Sequence, residues 1–178
     1  ITKRQILKYG IGYCEEGLYR YRIIIPSYSK DTTLNYFVGR DYYGGTMKYK
    51  NPRVSKDVVG FESMIDWNQP VILCEGVFDA IAIKRNAIPL FGKTLPPQLL
   101  KRLVQHKVKK LYLILDSDAQ KDSMKIVDKL KSYQIDVNMI TLKDKDPSEL
   151  GFEKTINLIK QTKDSLSFSD IMKMKLGA

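Results

Sequence analysis

The chain has 178 residues, 43% of them hydrophobic, and carries a formal net charge of +10. This length fits one domain or two small ones, and the composition excludes a generally disordered chain. No apolar run approaches the roughly 18 residues of a membrane span, and the first residues lack the apolar core of a signal peptide. We therefore expect a cytoplasmic protein without a membrane partner, whose basic charge fits either an ordinary solvated surface or a polyanion such as nucleic acid.

The first 67 residues are rich in tyrosine, glycine and basic side chains and show few helical signals. Residues 23–25 are typical of a strand that ends at Pro26, and residues 34–38 of a second strand that ends at Gly39. The turn-forming stretch between them predicts a hairpin with a long loop. We predict a small mixed α+β subdomain over residues 1–67.

From residue 68 onward, short apolar runs alternate with helical stretches. This alternation is typical of βαβ units, which build a mostly parallel sheet with helices on both faces. We predict an α/β domain over residues 68–150 and a helical tail over residues 151–178. The predicted strands are 71–74, 88–91, 111–115 and 137–141. The predicted helices are 77–86, 96–106 and 123–133, with amphipathic stretches near 156–159 and 171–176.

Two of these predicted strands run directly into acidic residues. The strand VILC is followed by Glu75, and the strand LYLIL by Asp116 and Asp118. Asp79 comes four residues after Glu75 and should share its face at the start of the next helix. Because ligands of open α/β sheets bind outside the carboxyl ends of the strands, these carboxylates should converge if the two strands are neighbours.

Converging carboxylates repel one another unless a cation neutralises them. Mg²⁺ prefers oxygen ligands and binds through carboxylates, waters and substrate phosphates. Gly76 has no side chain and lets a phosphate or the backbone approach closely. Asp146, just before Pro147, either faces the same edge or lies in a turn fixed by the proline. The predicted metal ligands are Glu75, Asp79, Asp116 and Asp118.

These residues resemble the TOPRIM domain of DnaG-type primases, in which Glu-Gly follows one strand and Asp-x-Asp follows a later one. The matching segments here are VILCEGVFDAIAI and LYLILDSDAQKDS. Phe91-Gly92-Lys93 looks like the Leu-Gly-Thr turn of that family, and Asp146-Pro147 looks like its late Asp-Pro. Upstream, RYRIIIP, FVGR and KYKNP are similar to the primase motifs R-x-R, F-G-G-R and K-Y-L-N-S-P. The resemblance covers about residues 1–151.

The resemblance implies a bacterial or phage DNA primase core, a nucleotidyltransferase of the DNA-directed RNA polymerase type that makes short RNA primers during DNA replication. It implies Mg²⁺ or Mn²⁺ as cofactor, with Glu75, Asp116 and Asp118 as catalytic residues. It further implies a single-stranded DNA template, ribonucleoside triphosphates, and a replicative helicase or a zinc-ribbon region outside this chain. The expected nucleotide or nucleic-acid contacts are Arg20, Arg22, Arg40, Lys48, Tyr49, Asn51 and Lys56, with Tyr42 as an alternative stacking residue. Further expected site positions are Gly76, Gly92, Lys93 and Asp146.

Other interpretations remain open at the level of the sequence. A TOPRIM nuclease would use the same acids to hydrolyse a phosphodiester, although the upstream basic motifs favour a primase. A nucleic-acid-binding module with a decayed site is the non-enzymatic alternative. Cys14 and Cys74 form no C-x-x-C pair, so we expect no zinc in this chain. We also expect either an excised core or a compact variant that relies on a partner.

Overall fold

The computed structural model of the chain describes residues 1–115, 119–141 and 147–161. A three-stranded antiparallel sheet precedes a four-stranded parallel sheet flanked by helices, which confirms the predicted α/β class with a preceding mixed subdomain. The strands are Gly12–Cys14 (β1), Arg22–Tyr28 (β2), Leu34–Asp41 (β3), Val71–Cys74 (β4), Ala87–Pro89 (β5), Lys110–Leu115 (β6) and Asp136–Thr141 (β7). The helices are Lys3–Tyr9 (α1), Val77–Ile83 (α2), Pro97–Gln105 (α3), Gln120–Lys131 (α4), Pro147–Leu150 (α5) and Phe152–Gln161 (α6).

The antiparallel sheet contains the predicted hairpin, with β2 in the centre and β1 and β3 beside it. The predicted end of the first hairpin strand at Pro26 is wrong, because β2 continues to Tyr28 with Pro26 opposite Phe37. β1 covers only residues 22–24 of β2. At Pro26 the strand therefore has a partner on one side only, and proline is tolerated in such edge positions.

The parallel sheet has the strand order β5-β4-β6-β7. Strand β4 has the predicted bounds. Helix α2 ends at Ile83, three residues earlier than predicted, because Lys84 adopts a left-handed conformation with φ 56°, which stops helical hydrogen bonding. The sequence analysis also missed α1, whose signals are a capping box between Thr2 and Gln5 and a left-handed Gly10 at its end.

The parallel sheet is buried on both faces, and successive residues of its central strands alternate between two cores. Leu73 and Leu113 pack in one core with α3 and α4. Ile72 and Ile114 pack in the other core, together with α2, α6 and residues of the antiparallel sheet such as Ile25. This second core joins the two sheets and fixes the cleft between them.

The tail is described as far as α6, and the amphipathic stretch over 171–176 lies outside the described residues. The division of the chain into 1–67, 68–150 and 151–178 stays a prediction. Within the described ranges, none of the helices is both long and apolar enough to cross a membrane.

Candidate active site

A cleft of about 750 Å³ lies between the two sheets, and predicted site residues line both of its walls. Acidic and glycine residues from the α/β part form one wall, and basic, aromatic and amide side chains from the antiparallel part form the other. The residues predicted from the sequence that line the cleft are Arg40, Lys48, Tyr49, Asn51, Glu75, Gly76, Asp79 and Gly92. The fold thus brings together two motif groups, residues 40–51 and 75–92, that are separate in the chain.

The acidic wall is formed by the turn between β4 and α2. Glu75 leaves the carboxyl end of β4, Gly76 is the N-cap of α2, and Asp79 lies in the first turn of that helix. The Gly76 amide N–H donates to Oδ2 of Asp79 at 3.1 Å, and Asp79 is buried. A Cβ at position 76 would lie only 3.2 Å from that oxygen. Asp79 therefore holds the turn that presents Glu75, and glycine fits the tight space beside it.

The basic wall is held beside the end of β3 by backbone hydrogen bonds. The Lys50 amide donates to the Gly39 carbonyl at 2.8 Å, and the Asp41 amide donates to the Lys48 carbonyl at 3.0 Å. The Arg40 guanidinium lies over the ring of Tyr49, 4.7 Å from its centroid. The segment that carries Lys48 and Tyr49 is therefore fixed to the strand that carries Arg40.

Replacing Gly39 by alanine should displace this segment. A Cβ at Gly39 would lie 2.5 Å from the Lys50 carbonyl oxygen, so the backbone must move. Overpacking of this kind costs about 1–3 kcal/mol, which lowers the melting temperature of a chain of this size by about 3–10 °C. Circular dichroism during heating measures the shift, and we expect weaker binding of single-stranded DNA in the same variant.

Gly12→Ala is the matched control, because a Cβ there meets nothing within 4 Å. It should unfold at the temperature of the wild type. Equal melting temperatures for Gly39→Ala and Gly12→Ala would contradict the packing argument.

Three other predicted basic residues make contacts within the protein and do not line the cleft. The Arg22 guanidinium donates to the Met47 carbonyl at 2.6 Å, just before Lys48. The Arg20 guanidinium lies 4.4 Å from the ring centroid of Tyr21. The Lys56 ammonium donates to the Phe91 carbonyl at 2.8 Å. Arg22 and Lys56 thus brace segments that border the cleft. Lys93 also lies off the lining, half-buried beside Gly92.

Asn51 presents an acceptor to the cleft. Its Oδ1 is buried, and no group of the described residues donates a hydrogen bond to it. Burial raises the pKa of the Tyr36 hydroxyl, and a hydrogen bond with the Asn51 side chain opposes that shift. The Asn51 side chain therefore lies close to Tyr36, and its buried oxygen is left to accept a hydrogen bond from a ligand.

Asp116, Asp118 and Asp146 lie outside the described residues. β4 and β6 are parallel neighbours with Cys74 opposite Ile114, so the chain leaves β6 towards Asp116 at the edge where it leaves β4 into Glu75. Among the described residues alone, no group of three or more possible metal ligands occurs. The set of Glu75, Asp79, Asp116 and Asp118 consists entirely of carboxylates, which is the donor chemistry that suits Mg²⁺ or Mn²⁺.

Two acidic residues of the cleft were not predicted as site residues. Glu149 reaches the lining from α5, which begins at Pro147. The proline in the first turn of this helix, next to Asp146, was the available signal. Asp41 also lines the cleft, and its Oδ2 accepts the amides of Gly44 at 2.8 Å and Gly45 at 2.6 Å. Asp41 therefore fixes the turn that follows β3.

Comparisons with known proteins agree with this architecture. Residues 72–151 match the protein family described as Toprim-like. An uncharacterized protein of Mycoplasma genitalium is 31% identical over 142 residues, which are 74% of this chain and 62% of that protein. A solved DnaG catalytic core has a TM-score of 0.81 at 18% identity, over 99% of this chain and 73% of that chain. A DnaG primase catalytic domain bound to single-stranded DNA has a TM-score of 0.73 at 18% identity, over 96% and 63%.

Residues 72–151 therefore match a Toprim-like domain, and the chain has the fold of a DnaG catalytic core. It spans about three fifths of the length of the M. genitalium relative. The Toprim-like match includes all the acids predicted from the motifs as well as Glu149.

Proposed function

We propose that this chain is the catalytic core of a DNA primase, which joins ribonucleotides on a single-stranded DNA template in a metal-dependent reaction. The observation that carries the proposal is the cleft itself, with carboxylates on one wall and basic, aromatic and amide groups on the other. Joining nucleotides requires groups that bind metal ions and so stabilise the negative charge at the reacting phosphate. It also requires groups nearby that hold phosphates and bases in place.

The acidic wall and the acids after β6 are the proposed metal site. Glu75, Asp116 and Asp118 would hold Mg²⁺ or Mn²⁺, and Asp79 would assist directly or through water. Bound there, the metal supplies activation of a 3′-hydroxyl and stabilisation of the pyrophosphate leaving group. Glu75 acts either as a ligand or as a general base. Asp79 also holds the turn through Gly76, at 3.1 Å.

The opposite wall is the proposed nucleotide and template site. Arg40 and Lys48 would bind phosphates, because both cations line the cleft. Tyr49 supports the Arg40 guanidinium by a cation–π contact. The buried Oδ1 of Asn51 would accept a hydrogen bond from a ribose hydroxyl or a base. We propose single-stranded DNA and ribonucleoside triphosphates as partners, together with a replicative helicase or a zinc-ribbon region supplied separately.

The test is an extension assay on a template that carries a short annealed oligoribonucleotide. This design measures nucleotide joining and does not require the start of a new primer. With ribonucleoside triphosphates and Mg²⁺ or Mn²⁺, we expect products longer by one or more nucleotides on a denaturing gel. Chelation of the metal by EDTA should abolish them.

Labelled template strand in the same reactions distinguishes the alternatives. Metal-dependent cleavage of the strand without extension would replace the proposal with a Toprim nuclease. Binding of the strand without extension or cleavage would replace it with a nucleic-acid-binding module.

A further inference from the structure

Tyrosines from separate parts of the chain meet at one end of the antiparallel sheet, where β1 and β3 end and β2 begins. The rings of Tyr21 and Tyr43 are stacked, with centroids 4.5 Å apart and planes 15° from parallel. Tyr42 meets Tyr21 edge-on at 6.3 Å. Interaction with Glu15 raises the pKa of the Tyr13 hydroxyl, and Tyr42 raises it to a smaller extent. We call Tyr21, Tyr42 and Tyr43 the tyrosine platform.

The platform is built into the backbone. Tyr21 has a left-handed φ of 62°, its amide donates to the Cys14 carbonyl at 3.0 Å, and its carbonyl accepts the Tyr42 amide at 3.2 Å. In the turn after Tyr43, the backbone amides of Gly44 and Gly45 donate hydrogen bonds to the Asp41 carboxylate. A non-glycine residue keeps such a backbone conformation only where its surroundings enforce it, and such residues cluster at ligand sites. The rings are therefore arranged before any ligand arrives.

The platform is open to solvent. Tyr43 is 72% exposed although it stacks on Tyr21, and Tyr42 is 47% exposed. Most of the Tyr43 ring is thus available, and neither exposed ring takes part in the two hydrophobic cores. Adjacent exposed aromatic rings indicate an interaction surface.

The charge around the platform indicates what it binds. The Arg20 guanidinium lies 4.4 Å from the Tyr21 ring centroid. Arg40 and Lys48 line the cleft, and so does Asp41, the residue next to Tyr42 in the chain. Flat rings beside a cationic groove are the combination that holds single strands, since bases stack on the rings while the cations follow the phosphates. The chain as a whole carries a net charge of +10.

We propose that the tyrosine platform stacks bases of a single-stranded nucleic acid at the mouth of the cleft, with Tyr43 as the outer ring. The proposal rests on the proposed function, because the strand held there is the template. It adds a base-contacting surface outside the cleft. Of its residues, only Tyr42 was predicted from the sequence, as an alternative stacking residue, and Tyr21 and Tyr43 were not.

The test is fluorescence anisotropy with a labelled oligothymidylate, and with an abasic strand of equal length and charge. Tyr43→Ala should weaken oligothymidylate binding by about 5- to 150-fold, the range found for loss of one stacked base. It should leave binding of the abasic strand unchanged. Tyr43→Phe, which keeps the ring, should bind as the wild type does. Tyr133→Ala is the control for loss of an exposed tyrosine, since Tyr133 in the turn after α4 is 47% exposed, and it should have no effect.

Three results would overturn the proposal: unchanged oligothymidylate binding by Tyr43→Ala, an equal loss on both strands, or no binding by the wild type at low salt. A change in oligomeric state in place of DNA affinity would also overturn it, in favour of a contact between copies of the chain. The extension assay separates this proposal from the proposed function. Tyr43-dependent binding without extension supports the platform alone, and extension with unchanged Tyr43→Ala binding supports the proposed function alone.

Discussion

Asp116→Asn and Asp118→Asn should each lower the rate of primer extension by about a thousandfold, while single-stranded DNA still binds. Asparagine nearly preserves the shape of aspartate and removes the negative charge that a divalent cation needs. Stabilisation by metal is worth several kcal/mol, and each tenfold loss of rate corresponds to about 1.4 kcal/mol. Binding should be retained or slightly stronger, because one carboxylate fewer repels the phosphates. Extension at saturating template, with a metal titration, measures the effect.

Asp122→Asn is the matched control for these two variants. Asp122 lies in the first turn of α4, a few residues after Asp118, and pairs with Lys125 at 2.9 Å on the surface. Exposed pairs of this kind contribute about 1 kcal/mol or less, so extension should stay at the wild-type rate. Wild-type rates in Asp116→Asn would refute the catalytic assignment. An equal loss of extension and of folded protein in all three variants would show a general structural effect.

Binding of single-stranded DNA should weaken about 20-fold when salt rises from about 50 to about 200 mM. This value follows from about three phosphate contacts, at Arg20, Arg40 and Lys48, each adding about 0.7 to the logarithmic slope on single strands. Lys48→Ala should lower the slope by about 0.7 and weaken binding at low salt. Anisotropy titrations at several salt concentrations measure both quantities.

Lys125→Ala is the control for charge alone, because Lys125 lies on α4 in a surface pair with Asp122. Its slope should equal that of the wild type. Arg22 should behave differently from Lys48, since its guanidinium also holds the Met47 carbonyl at 2.6 Å. Arg22→Lys keeps the charge and loses the planar fork, so a loss of affinity there at an unchanged slope would separate bracing from phosphate contact. A salt-independent affinity of the wild type would contradict the basic site.

Local patterns were sufficient for most elements of the parallel sheet. The strand β4 and the helix α3 could be predicted because an uninterrupted apolar run and a first-turn proline are local signals. The end of α2 could not be predicted, since it depends on the left-handed conformation of Lys84, a residue without a strong local preference for it. The continuation of β2 through Pro26 depends on where its neighbouring strand stops, which is a property of the sheet.

The sequence by itself determined the α/β class and placed acids at the ends of two apolar strands. Only the tertiary structure decided that Glu75 faces the same cleft as Lys48, and that Tyr21 stacks on Tyr43. The motifs and the family resemblance suggested that the basic and acidic groups belong to one site without showing that they share a cleft. The physical reason is that periodicity reports which face of its own element a residue occupies. Contacts between distant segments depend on strand register, on turn geometry and on how two sheets pack across a shared core.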